Sequence, residues 1–100
     1  MFDFSNQVVV ITGGAGNLGA AVARAFYRAG ARVAVVDRQR QMTADVLASD
    51  VPEGDYCAYV AGNLMDESSV AEMVATIVER FGRIDALVNV AGGYRAGTPL

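Results

Sequence analysis

The residues of this 100-residue chain best placed to do chemistry are glycines. The run Thr12-Gly13-Gly14-Ala15-Gly16-Asn17-Leu18-Gly19 contains G-x-G-x-x-G at Gly14, Gly16 and Gly19. Absent side chains at that spacing allow a tight turn, let backbone approach a pyrophosphate, and let a helix pack closely against a strand. The unpaired N–H groups and the dipole of a helix starting there attract phosphate charge. The pattern carries weight only with a strand before it, a helix after it and an acidic residue about 20 positions further on. The acid is Asp37, 18 residues past Gly19. A carboxylate there accepts hydrogen bonds from ribose hydroxyls and repels a 2′-phosphate, which favours NAD. Arg38 and Arg40 follow at once, and because an Arg can hold a 2′-phosphate, NADP stays open.

Other chemistries fall away. The chain has eight Lys plus Arg, all of them Arg, so no Gly-Lys phosphate loop of the Walker type exists. No His and one Cys exclude the common zinc spacings, and no metal site is expected. A net charge of -3 and a pI near 4.7 oppose a nucleic-acid partner. One Cys makes no internal disulfide, which suits a reducing compartment. The longest apolar runs, Val8 to Ile11 and Val33 to Val36, fall far short of the roughly 20 residues a membrane span needs. Met1 to Gln7 is acidic and polar, unlike a signal peptide. A soluble cytoplasmic protein without a membrane partner is expected. With 53% hydrophobic and 19% charged residues, the chain should fold, and its length allows one domain, residues 1–100.

Behind the glycines stand the elements that must position them. Val8 to Thr12 reads as a strand covered on both faces. Asn17 to Ala29 reads as a helix with Leu18, Val22, Phe26 and Ala29 on one stripe and Gly30 as its C-terminal cap. Arg32 to Asp37 is a second strand. Arg40 to Ser49 is a weaker helix anchored by Met42, Val46 and Leu47, with Pro52 and Gly54 marking a loop after it. Tyr56 to Ala61 is a third strand. Asp66 to Phe81 is the best helix. Ser69 and Glu72 have capping-box spacing there, with Asp66 a rival cap. Val70, Met73, Val74, Ile77, Val78 and Phe81 are its expected buried stripe. Ile84 to Val90 is a fourth strand. Alternating strands and helices at this spacing predict an α/β fold with a parallel, doubly wound sheet. In the order 3-2-1-4, two helices cover one face, the third covers the other, and a ligand sits at the switch point beyond the strands' carboxyl ends.

Thr12 to Gly19, Asp37 and Asn89-Val90-Ala91-Gly92, in this order and context, resemble the short-chain dehydrogenase/reductase family from Val8 to about Leu100. The resemblance implies a Rossmann-type fold and hydride transfer between NAD or NADP and a carbonyl or alcohol. It implies that Gly13, Gly14, Ala15, Gly16, Asn17, Leu18 and Gly19 cradle the pyrophosphate and adenosine ribose. Asp37 would hold the ribose hydroxyls, with Arg38 the determinant if NADP is used. Asn63 and Leu64 would flank the adenine, Asn89 would pin the central strands, and Ala91 and Gly92 would lie along the cofactor. Two positions depart from the family pattern. Asn17 stands at the middle Gly of the commoner glycine motif, where tolerance of left-handed backbone would preserve the turn. Asn63 replaces an Asp. The glycine spacing also resembles the family's extended subgroup, so a sugar epimerase or dehydratase is an alternative.

The family's catalytic Tyr-x-x-x-Lys is absent. Tyr27, Tyr56, Tyr59 and Tyr94 are followed four residues on by Ala31, Val60, Asn63 and Thr98. No catalytic residue is assigned. The chain reads as the first half of a doubly wound domain, cut after its fourth strand and inactive alone. A homo-oligomer is expected of the full-length protein. The competing readings are a complete, non-catalytic dinucleotide-binding module and a Rossmann-like binder of another ligand, such as a methyltransferase.

Overall fold

The computed structural model describes residues 3–90. Seven elements alternate: β1 (Val8–Thr12), α1 (Asn17–Arg28), β2 (Arg32–Asp37), α2 (Arg40–Leu47), β3 (Cys57–Ala61), α3 (Glu67–Phe81) and β4 (Ala86–Asn89). The strands form one parallel sheet in the order β3-β2-β1-β4, the expected topology.

Alternate residues of the central strands serve two cores. Val9, Ile11, Val33, Val35, Cys57 and Tyr59 pack under Ala20 and Ala23 of α1 and Leu47 of α2. Val8, Val10, Ala34, Val36, Ala58 and Val60 meet Met73 and Ile77 of α3. Both faces are covered, so β1 and β2 read as continuous apolar runs rather than alternating ones. Each fully buried Val, Ile or Leu contributes about 1.5–3 kcal/mol.

The helices bury less than their apolar patterns suggest. In α2 the buried pair is Thr43 and Leu47, four residues apart, while Met42 is exposed. In α3 only Met73 and Ile77 are buried; Val70 and Phe81 lean on the core, and Val74 and Val78 are exposed. The reason is placement. Helix α3 lies chiefly over β3, so the flank of its stripe meets no surface among the described residues. Leu87 of β4 is likewise 61% exposed. Asp66, not Ser69, caps α3: its Oδ1 accepts the Ser68 N–H (3.1 Å), while Ser69 Oγ accepts the Asn63 N–H (2.9 Å).

The two sheet edges differ. On the outer side of β3, Gly54 N–H donates to the Cys57 carbonyl (2.9 Å). Tyr59 N–H donates to Glu53 Oε2 (2.9 Å), and Arg40 Nε donates to the Tyr59 carbonyl (2.9 Å). Arg40 and Glu53 pair with each other, so an ion pair stands where a neighbouring strand would. Burial alone would raise the Glu53 carboxyl, but the Tyr59 N–H and the Arg40 and Arg80 charges hold it below its usual value. At the other edge, β4 pairs with β1 alone among the described strands. It begins later than the apolar run predicts. Asp85 exchanges bonds with Val8 just before it: Oδ2 accepts the Val8 N–H (2.8 Å), and the Asp85 N–H donates to the Val8 carbonyl (2.9 Å). The Val8 N–H and Arg83 keep the Asp85 carboxyl below the usual range.

Candidate functional site

A parallel sheet brings the carboxyl ends of all its strands to one edge, and in this fold a cleft of about 600 Å³ opens there. β1 supplies Thr12, Gly13 and Gly16 around its end, and β2 supplies Val36, Asp37 and Arg38. The segment after β3 supplies Gly62, Asn63, Leu64 and Met65, and β4 supplies Asn89 and Val90. The cleft thus includes the switch point between β1 and β4, and its size suits a small organic ligand.

The glycine run closes on itself in a defined way. Gly13 takes φ +73°, a left-handed turn that a side chain would strain. The N–H groups of Gly13 and Gly14 both donate to the Val36 carbonyl (2.9 and 3.1 Å), and that of Gly16 donates to the Gly13 carbonyl (3.1 Å). Ala15 N–H donates to Asp37 Oδ2 (2.8 Å). The first bond of α1 runs from the Ala20 N–H to the Gly16 carbonyl (2.9 Å). The N–H groups of Asn17, Leu18 and Gly19 are therefore the ones the helix start leaves without an intrahelical acceptor. No side chain caps α1, and its first turn holds no acidic residue. An anion at this point would meet N–H groups and the positive end of the helix dipole, with no carboxylate in that turn competing.

The glycines of the motif differ in what they are for. A Cβ on Gly14 would lie 2.0 Å from Val35 Cγ1, and one on Gly19 would lie 2.0 Å from the Gly13 carbonyl oxygen. A Cβ on Gly16 would meet only that same oxygen, at an ordinary 3.5 Å. Packing within the protein thus requires glycine at 14 and 19 but not at 16, and Gly16 borders the cleft. Asn17 is the first residue of α1 and has no positive φ. The expectation that its left-handed tolerance preserves the turn is corrected: Gly13 makes that turn.

Asp37 ends β2 and faces the loop. Its Oδ2 holds the Ala15 N–H and its Oδ1 the Arg38 N–H (2.8 Å). The two nearby arginines separate. Arg40 is engaged by β3 and Glu53, outside the cleft, whereas Arg38 is exposed and lines it. Asn63 forms an Asx turn in which its Oδ1 accepts the Met65 N–H (3.0 Å). Its carboxamide oxygen is thus engaged within the loop. Asn89 ties β4 to β1, since its Oδ1 accepts the Thr12 hydroxyl (2.8 Å), and Thr12 Oγ1 in turn accepts the Val90 N–H (3.2 Å). Ala91, Gly92 and the Tyr94-Arg95 pair lie outside the described residues.

The structure thus brings Gly13, Gly16, Asp37, Arg38, Asn63, Leu64 and Asn89 to one cleft. Sequence reasoning missed Gly62 and Met65, the latter 93% exposed beside it. The available signal was positional: everything immediately after a parallel strand's carboxyl end belongs to the binding edge. Among the described residues no cluster of three His, Cys, Asp or Glu side chains could hold a metal, and no helix is long and apolar enough to cross a membrane.

The family model for short chain dehydrogenase matches residues 7–99. Momilactone A synthase of Oryza sativa subsp. japonica is 43% identical over 86 residues, covering 86% of this chain and 31% of that protein. Meso-2,3-butanediol dehydrogenase of Serratia marcescens is 39% identical over 97 residues, covering 97% of this chain and 38% of that protein. Among solved structures, a glucose/ribitol dehydrogenase from Brucella melitensis superposes with a TM-score of 0.84 at 34% identity, over 95% of this chain and 40% of that one. A metagenomic short-chain oxidoreductase in complex with NADP gives 0.81 at 34% identity, over 97% of this chain and 44% of that one. A 3-ketoacyl-(acyl-carrier-protein) reductase from Brucella melitensis complexed with NADH gives 0.76 at 30% identity, over 85% and 34%. The chain spans about a third of the length of the curated relatives, 31% and 38%.

Proposed function

Because the chain belongs to the short-chain dehydrogenase family, we propose that its cleft binds the adenosine diphosphate part of a nicotinamide dinucleotide. We propose that the longer protein moves a hydride between that cofactor and a carbonyl or alcohol carbon. The observation that carries this reading is the wiring of the glycine run. The amides of residues 13–16 are engaged within the protein, while those of Asn17, Leu18 and Gly19 are left at an uncapped helix start beside Gly16. A diphosphate rests against those amides. Asp37 would hold the sugar hydroxyls, Arg38 and the Asn63-Leu64-Met65 segment would flank the adenine, and Asn89 holds the far wall together. The family resemblance implies that Ala91 and Gly92 would lie along the cofactor. The nicotinamide, when bound, supplies the hydride chemistry; the contribution of this chain is binding and orientation.

Asp37 favours NAD, since its carboxylate occupies the place a 2′-phosphate would need and repels it. Arg38 is the one nearby cation facing the cleft among the described residues and would be the determinant if NADP were preferred. No Tyr-x-x-x-Lys is present in these 100 residues, so the chain alone is expected to bind without turning over. Burial pushes the Cys57 thiol up to about 12 and keeps it protonated.

Titration of the chain with NADH and NADPH, followed by nicotinamide fluorescence, tests the reading. NADH should bind, with NADPH weaker. Tighter binding of NADPH would reverse the cofactor assignment in favour of Arg38, and no binding of either nucleotide would remove the reading.

A further inference from the structure

We infer that Asp37 is a positioning residue for the phosphate-facing loop, as well as a contact for the ligand's sugar; the inference rests on the dinucleotide reading of the same cleft. A glycine-rich segment gains little order from its own side chains, and its backbone is unusually free before it is tied down. Three of the four amides at 13–16 close on backbone carbonyls of Val36 and Gly13. The fourth, Ala15 N–H, is held by a side chain from the next strand, Asp37 Oδ2 at 2.8 Å. Hydrogen bonds to an ionised carboxylate are among the stronger ones a protein makes. Asp37 is itself steadied from behind, where Arg38 N–H donates to its other oxygen at 2.8 Å.

The carboxylate therefore bridges β2 to the loop just before Gly16, the N-cap of α1, and sets the direction in which the following amides point. An ionised carboxylate has about four acceptor positions. Two are filled by backbone amides, and two remain for a sugar diol, so the roles do not compete. The consequence is a coupling. Replacing Asp37 with a residue that admits a 2′-phosphate but offers no acceptor also releases Ala15 and loosens the diphosphate site. Cofactor preference and loop order are set by one side chain.

The test compares Asp37→Ala with Asp37→Asn. Both lose the same charge, but only Asn keeps an oxygen that can accept from Ala15. Hydrogen exchange of the ligand-free chain should show the Ala15 N–H exchanging about tenfold faster in D37A and within about threefold of the unsubstituted chain in D37N. The ligand arm uses 2′,3′-dideoxy-ADP, which has the diphosphate but no ribose hydroxyls. D37A should bind it about fivefold more weakly than D37N. If D37A does not fold, Asp37→Leu, nearly isosteric and without an acceptor, takes its place with the same expectation. Equal Ala15 exchange and equal dideoxy-ADP affinity in D37A and D37N would overturn the positioning role, leaving a loss confined to ADP to be explained by diol recognition alone. Accelerated Ala15 exchange in D37A, with no binding of ADP or dideoxy-ADP by the unsubstituted chain, would support the positioning role and remove the dinucleotide reading.

Discussion

Helices α1 and α3 begin at the same edge of the sheet, each after a parallel strand, and they begin differently. Helix α3 satisfies its own start: Asp66 accepts the Ser68 N–H, and Glu67 adds a negative charge to the first turn. Helix α1 starts at Gly16 with no side-chain cap and no acidic residue. A cap and a bound anion compete for the same N–H groups and the same dipole. A helix start left bare beside a cleft is open to a ligand in a way that a self-capped one is not.

The harshest challenge to this contrast is at the third residue of each helix. Gly19→Ala should cost about 3 kcal/mol in urea denaturation, because its Cβ would lie 2.0 Å from a backbone oxygen that cannot step aside. Ser69→Ala, at the matching place in α3, loses one exposed hydrogen bond and should cost about 1 kcal/mol. Next in size is Gly16→Asp, which rewrites the start of α1 as that of α3. Gly16 sits at φ −81°, ψ 163°, backbone that any residue adopts. Stability should change by no more than about 0.5 kcal/mol, while affinity for ADP should drop about tenfold from carboxylate competition and charge. Unchanged ADP binding in that variant would break the comparison. The reverse experiment, Asp66→Ala, should cost about 1 kcal/mol of stability and leave the ADP isotherm where it was.

Acid probes a third place, the ion pair on the outer side of β3. Glu53 has its folded value held below the ordinary glutamate value of 4.5. Its stabilising effect is therefore complete above 4.5 and is lost as pH falls through the lower folded value. The melting temperature of the unsubstituted chain should fall more steeply than that of Glu53→Gln below this point. The corresponding difference in unfolding free energy should stay under about 1 kcal/mol, since the pair is partly solvated.

Strand positions, sheet order and the cleft were legible from the sequence because each rests on a local signal with a global consequence. Val-rich runs mark doubly covered strands, and glycine at the β1–α1 junction marks the binding edge. What stayed hidden depends on partners far along the chain. Met42, Val74 and Val78 look like core by periodicity, yet a stripe buries only where another surface meets it. Arg38 and Arg40 both follow Asp37 closely, and nothing local shows that Glu53 and the Tyr59 carbonyl, 13 and 19 residues on, hold Arg40 outside the cleft. The separate tasks of Gly14, Gly16 and Gly19 were stated as a set; only the approach of Val35 and the Gly13 carbonyl distributes them. The bond between Ala15 and Asp37 spans 22 residues and has no sequence signature.

The unequal flanks of the sheet have a consequence for how it can be extended. At β3 the outward N–H and C=O groups of Tyr59 and a carbonyl of Cys57 already have answers from Glu53, Arg40 and Gly54, so an approaching strand would have to displace an ion pair first. At β4 no such guard stands among the described residues. Growth of the sheet is therefore directional, and because Asn89 lies on both β4 and the cleft, a strand recruited on that flank would also deepen the chamber beside it.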